Sequence, residues 1–190
     1  MNRITQIDPT SATGKSKQLF DAVQQKLGLV PNMVRIMGHA PAALEGYLSF
    51  SGALSHGGLD AKLREQIALT VGETNSCGYC LSAHSFIGSK LGLNAAEIEA
   101  ARRASAASAK NDAVLKLARN IVLQRGEIPD ADLAQARAAG LSESDIVETV
   151  ANVALNIFTN YVNHVARTVV DFPAVAPVTE RSAELSGVRS

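Results

Sequence analysis

Two thiols and an imidazole lie close together in this chain. Cys77 and Cys80 enclose Gly78-Tyr79, and His84 follows four residues after the second thiol. On a helix each residue advances about 100°, so Cys77, Cys80, His84, Ile87, Gly88 and Leu91 share one face. Ser82, Ser85 and Ser89 fall near the opposite face. Cys80 and His84, spaced i,i+4, can meet, and Cys77 and Cys80 lie one turn apart. A free thiol ionises near pH 8.5, so only a few per cent is the nucleophilic thiolate at neutral pH. An imidazole can take the proton, and a helix N-terminus at Cys77 adds positive potential. A second thiol one turn away can resolve a sulfenic acid into a disulfide.

The preceding helix adds a carboxylate. Lys62, Gln66 and Glu73 form its polar arc. Glu65 lies off the edge of that arc, among Ala61, Ala68, Leu69 and Gly72. An acid in such surroundings needs a partner. A short turn makes the two helices antiparallel, which points to His84. A carboxylate behind an imidazole orients it and stabilises its charged form. Two other readings use the same residues. The cysteines can be inert core residues, or two Cys, one His and one Glu can hold zinc tetrahedrally.

The elements that must position these groups read as helical nearly throughout. Ser11 or Thr13 caps a helix that ends at Gly28. Others begin at Pro31 and at Pro41, the latter stopping by Gly57-Gly58. Asp60 caps the Glu65 helix, and a turn at Asn75-Ser76 leads into a helix over about 77–91. Asn94 and Glu97 have capping-box spacing. Further helices cover about 111–124, a short stretch after Pro129, and 142 to about 168. Gly92-Leu93-Asn94-x-x-Glu97-Ile98 echoes Gly140-Leu141-Ser142-x-x-Asp145-Ile146, through shared capping chemistry or a duplicated unit. The expected fold is an all-α bundle whose site lies on a helical hairpin, with one domain over 1–170. Residues 171–190, with Pro173 and Pro177, read as an arm. The last helix carries apolar residues on several faces, so it is central or lies at an interface between copies.

Composition excludes several classes. The 190 residues carry 18 Lys+Arg against 18 Asp+Glu, leaving no electrostatic footprint for nucleic acid or anionic lipid. Near-zero charge also does little to keep copies apart. Trp is absent and aromatics make up 4%, which disfavours an aromatic-packed sandwich or barrel. Two cysteines are no disulfide framework. The N-terminus has no apolar run of the signal-peptide kind, and no stretch spans a bilayer. A cytoplasmic protein is expected.

The spacing Glu65, Cys77-x-x-Cys80, His84 resembles the signature of the alkylhydroperoxidase D and carboxymuconolactone decarboxylase superfamily. The segments Leu63-Arg64-Glu65-Gln66-Ile67-Ala68-Leu69 and Cys80-Leu81-Ser82-Ala83-His84 are similar to it. Asn156-Ile157-Phe158-Thr159-Asn160-Tyr161 and Asp171-Phe172-Pro173 resemble its peroxidase-related branch. The resemblance spans roughly 15–175 and implies an all-α homo-oligomer, a trimer or hexamer. It implies a thiol-dependent peroxidase in which Cys80 is peroxidatic, Cys77 resolves, His84 is the base and Glu65 completes the relay. The substrate would be hydrogen peroxide or an organic hydroperoxide. A lipoyl or thioredoxin-like dithiol would reduce the resulting disulfide, with no cofactor or metal. The founding peroxidase carries a histidine where this chain has Tyr79. That tyrosine is an accessory candidate, able to donate to a peroxide oxygen but a poor base. True lactone decarboxylases lack the cysteine pair, so decarboxylation is disfavoured. A disulfide reductase, a redox sensor and a metal-binding or structural oligomer are the alternative functions. His164, near Asn160, Tyr161 and Asn163, marks a second polar patch, and Arg167 can pair with Asp171.

Overall fold

The computed structural model describes residues 2–175, all of it helix and connecting segments. Nine helices follow one another among these residues. They are α1 (Gly14–Leu27), α2 (Asn32–Met37), α3 (Pro41–Leu54), α4 (Ala61–Thr74), α5 (Gly78–Lys90), α6 (Ala95–Arg102), α7 (Ala109–Gln124), α8 (Asp130–Ala138) and α9 (Glu143–Ala166). The all-α expectation holds. Most boundaries follow the capping signals. Asp60 accepts from the Leu63 N–H, and the Asn94–Glu97 and Ser142–Asp145 boxes both close. Differences are local. Helix α3 runs over Pro41–Leu54 as expected, and α7 begins two residues earlier than expected because Ser108 caps it.

The central helix is α4. It packs against α5, α6, α7 and α9, and an unbroken run from Gln66 to Gly72 is buried. One apolar cluster joins Leu63, Ile67, Leu69 and Val71 to Val114, Leu115, Ile121 and Val153 of α7 and α9. A second joins Phe20, Val23, Val34, Met37 and Leu44 of α1–α3 to Cys77, Tyr79 and Cys80. The site lies in this second cluster. The polar arc read for α4 is largely covered: Gln66 is buried, and Glu73 takes Arg102 of α6 at 2.8 Å. Helix α9 packs against α2, α3, α4, α5 and α7 and also keeps an exposed face. It buries Asn152, Val153, Asn156, Asn160 and Asn163 but leaves Val147, Val150, Phe158, Tyr161 and Val165 exposed.

The echoed segments adopt the same geometry. Gly92 and Gly140 take left-handed φ values of 88° and 94°. The next residue, Leu93 or Leu141, donates back to the carbonyl of Gly88 or Ala136. This Schellman closure recurs at Ser76, Ala104, Arg125 and Arg167. The likeness is therefore that of general capping chemistry.

Candidate active site

The turn between α4 and α5 positions the first thiol. Ser76 sits at φ 56°, a left-handed conformation that costs a side-chain-bearing residue about 1 kcal/mol. Ser76 N–H returns to the Glu73 carbonyl, and Cys77 N–H returns to the Gly72 carbonyl at 2.8 Å. Cys77 thus closes α4 and is also the N-cap of α5. The stop of one helix and the start of the next share one residue, which fixes the thiol at the N-terminal end of α5.

Glu65 and His84 meet as their spacing predicts, with Nδ1 to Oε2 at 2.7 Å. A carboxylate only accepts, so Nδ1–H donates and Nε2 is left to take or give a proton. Burial pulls the imidazole pKa down. The Glu65 charge, the Glu65 hydrogen bond and the Cys77 charge outweigh it and hold the pKa above its usual value.

Both cysteines are free and buried. Their thiols bond to one another, which splits their acidities. Cys77 is lowered by the bond from Cys80, against burial, with help from the Cys80 and Tyr79 N–H groups and the His84 charge. Cys80 is pushed well up by the same bond and by burial and the Cys77 charge, while Asn163 and Asn160 pull it down. Cys77 is therefore the more acidic thiol of the two.

Cys80 opens on a cavity of about 500 Å³. Cys80, Tyr47, Glu65, His84 and Phe172 are among its lining residues, and Cys77 is not. The walls come from α1, α3, α4, α5 and α9. Tyr47 is a residue that sequence reasoning missed, because an isolated tyrosine on α3 carries no spacing signal. Its pKa is pushed up to about 12, first by burial and then by the charges of Glu65 and Cys80, so it remains an O–H donor. Asn163 was also missed as a site residue. Its amide nitrogen lies 3.3 Å from the Cys80 sulfur and 3.3 Å from the Met33 sulfur. A signal existed: Asn152, Asn156, Asn160 and Asn163 recur one turn apart inside one helix, where asparagine is a weak former.

Tyr79 lines the same cavity, and its hydroxyl accepts from Met33 N–H at 3.2 Å beside Asp171. Asp171 accepts from Asn32 N–H at 2.8 Å instead of pairing with Arg167. Phe172 packs edge-on against Tyr79, 5.8 Å between centroids, and Val175 N–H donates to Ser82 Oγ. This contact buries Ser82, which the helical wheel had placed away from the thiols. The described start of the arm is thus latched over the site, and Pro177 lies outside the described residues. His164 caps the carbonyl of Asn75 at 3.1 Å, and Asn160 and Asn163 belong to the thiol site instead of a patch around His164. Among the described residues, no group of three or more His, Cys, Asp or Glu side chains is placed to hold a metal ion.

Residues 41–123, which include Glu65, both cysteines and His84, match the sequence model of the Carboxymuconolactone decarboxylase family. That match covers somewhat less than half of the chain and supports the resemblance to the alkylhydroperoxidase D and carboxymuconolactone decarboxylase superfamily. No curated protein matches the chain. Solved structures of similar fold exist. A peroxidase-related protein with an alkylhydroperoxidase core from Ralstonia eutropha JMP134 is 22% identical, with TM-score 0.80 over 90% of this chain and 92% of that one. A peroxidase-related protein from Silicibacter sp. TM1040 is 24% identical, with TM-score 0.75 over 88% and 92%. The debrominase Bmp8, as a cysteine-to-alanine variant in complex with 2,3,4-tribromopyrrole, is 18% identical, with TM-score 0.76 over 98% and 97%. The fold of these structures therefore extends over nearly the whole chain. No helix among the described residues is long and apolar enough to cross a membrane.

Proposed function

We propose that the protein is a thiol-dependent peroxidase that reduces organic hydroperoxides or hydrogen peroxide. The observation that carries this reading is the Glu65–His84 hydrogen bond at 2.7 Å beside a cavity that Cys80 and His84 both line. Cys77, the more acidic thiol, gives its proton towards His84, and the proton of Cys80 then passes to Cys77. The Cys80 thiolate attacks the terminal peroxide oxygen and the O–O bond breaks. The electron pair leaves on the alkoxide, which His84 protonates to the alcohol. Cys77 then attacks the sulfur of the Cys80 sulfenic acid, water leaves, and a Cys77–Cys80 disulfide remains. A dithiol donor restores both thiols, which suits a reducing compartment such as the cytoplasm.

Both sulfurs are buried, which favours a slender donor such as a lipoyl arm over a folded thioredoxin-like surface. For the same reason reduction of protein disulfides is the weaker reading. A homo-oligomer is part of the proposal. Val147, Val150, Ala154, Phe158, Tyr161 and Val165 form an exposed stripe on α9. An antiparallel second copy sets the small residues of one half against the large ones of the other. It also brings the exposed Glu143 end towards Arg167 of its mate.

Reduced protein treated with an organic hydroperoxide should yield the Cys77–Cys80 disulfide by mass spectrometry. Free thiols and unconsumed peroxide, with lipoyl and thioredoxin-like donors both tried, would sink the reading. A brominated pyrrole in the same panel reads out thiol-driven debromination.

A further inference from the structure

The carboxamide of Asn163 has an unusual set of partners. Its Nδ2 reaches two sulfurs, Met33 Sδ and Cys80 Sγ, each at 3.3 Å. A thioether can only accept, so the nitrogen must face the sulfurs and both of its hydrogens are used. The oxygen, Oδ1, is buried with no partner, and the residue is 4% exposed. A buried carbonyl oxygen left unpaired is destabilising, and such groups in native proteins call for an explanation. Asn163 lines the cavity, so a bound molecule can supply the missing hydrogen.

The rest of the α9 wall has the same polarity. Asn152 turns its amide nitrogen to the Glu148 carbonyl at 2.8 Å, and Asn156 turns its own to the Asn152 carbonyl at 2.8 Å. Thr159 uses its hydroxyl hydrogen on the Asn156 carbonyl at 3.0 Å. All three line the cavity with Asn163.

We propose that Asn163 Oδ1 is an acceptor subsite, one hydrogen bond from the reactive sulfur, that receives an O–H or N–H of a neutral organic substrate. The inference deepens the peroxidase reading and rests on it for the reacting group. A hydroperoxide entering the cavity donates its terminal O–H to Oδ1 while that same oxygen faces Cys80. Attack forms the S–O bond and breaks the O–O bond, and the hydrogen stays on the transferred oxygen. The sulfenic acid O–H then keeps its bond to Oδ1 until Cys77 displaces it as water. A peroxide anion, lacking the hydrogen, would place a charge against an acceptor and be rejected.

The test is a binding comparison on reduced protein without turnover, followed by amide chemical shifts. The probes are 2-phenylpropan-2-ol, tert-butylbenzene of the same shape, and the methyl ether, which is larger by one methyl group. Burial alone ranks the hydrocarbon tightest. The subsite predicts that the alcohol binds about tenfold tighter than the ether and also ahead of the hydrocarbon. Asn163→Leu, of similar volume, should reverse that order. Equal binding of alcohol and ether, or an alcohol preference retained in Asn163→Leu, overturns the proposal. The wild-type probe series decides the matter even if that variant does not fold. A protein that forms no disulfide with hydroperoxides yet ranks the probes as predicted would lose the peroxidase reading and keep the subsite.

Discussion

Helix α4 carries two carboxylates of similar burial that are put to different uses. Glu65 and Glu73 expose 17% and 16% of their side chains and hold their partners at 2.7 and 2.8 Å. Glu65 holds an imidazole, a group that changes charge near neutral pH. Glu73 holds the guanidinium of Arg102, which stays charged at every pH the fold survives. The first pair can move a proton towards the sulfurs. The second can only tie α6 to α4. Burial and ion pairing therefore do not distinguish a working site from a structural clamp. The titration range of the partner does, together with what stands behind it: two thiols and a cavity for Glu65, the flank of α6 for Glu73.

The comparison can be broken at several points. The largest effect is expected at the sulfurs. Cys80→Ser should bring peroxide consumption to background, and Cys77→Ser should allow one turnover and then stall, with a sulfenic acid trappable by dimedone. Next, Glu65→Gln should lower kcat/KM by about 10²-fold, within the range of proton-transfer groups, and move the His84 titration down by NMR. Glu73→Gln should do the opposite, costing about 2 kcal/mol in urea unfolding with kcat/KM unchanged. If Glu73→Gln instead impairs turnover as strongly as Glu65→Gln does, the distinction drawn here is wrong.

The two pairs should also differ in their response to pH. The folded-state pKa of His84 lies above its usual 6.5. Its pairing with Glu65 therefore stabilises the fold fully below about pH 6.5 and fades as pH rises through the folded value. The stability gap between the native chain and Glu65→Gln should shrink between about pH 6 and pH 9, on the scale of shifts near histidine's reference value. The Glu73→Gln gap should stay constant over that span. The smallest effect is expected for Tyr47→Phe, which removes one cavity-facing donor and should lower kcat/KM by about threefold to tenfold.

Much of this site was legible in the sequence. Cys77, Cys80, His84 and Glu65 were assigned from helical spacing and from an acid placed among small residues, and the structure brings the acid and imidazole together. Capping residues located most helix ends for the same reason: an N-cap oxygen and a left-handed closing residue act within one turn. The less legible features depend on distant contacts. Ser82 is buried where the arm returns across α5, and the Tyr79 hydroxyl is held by Met33 N–H of α2. Gln66 and Glu73 leave the solvent because α6 folds over them.

Short-range order along the chain thus determined the helices, their ends and the hairpin that sets an acid against an imidazole. All of these depend on interactions a few residues long. Only the tertiary structure decided which thiol is the more acidic, which sulfur faces the cavity, and that Tyr47 and Asn163 stand beside it. Those outcomes follow from burial and from electric fields summed over helices far apart in sequence, and no local spacing encodes such a sum.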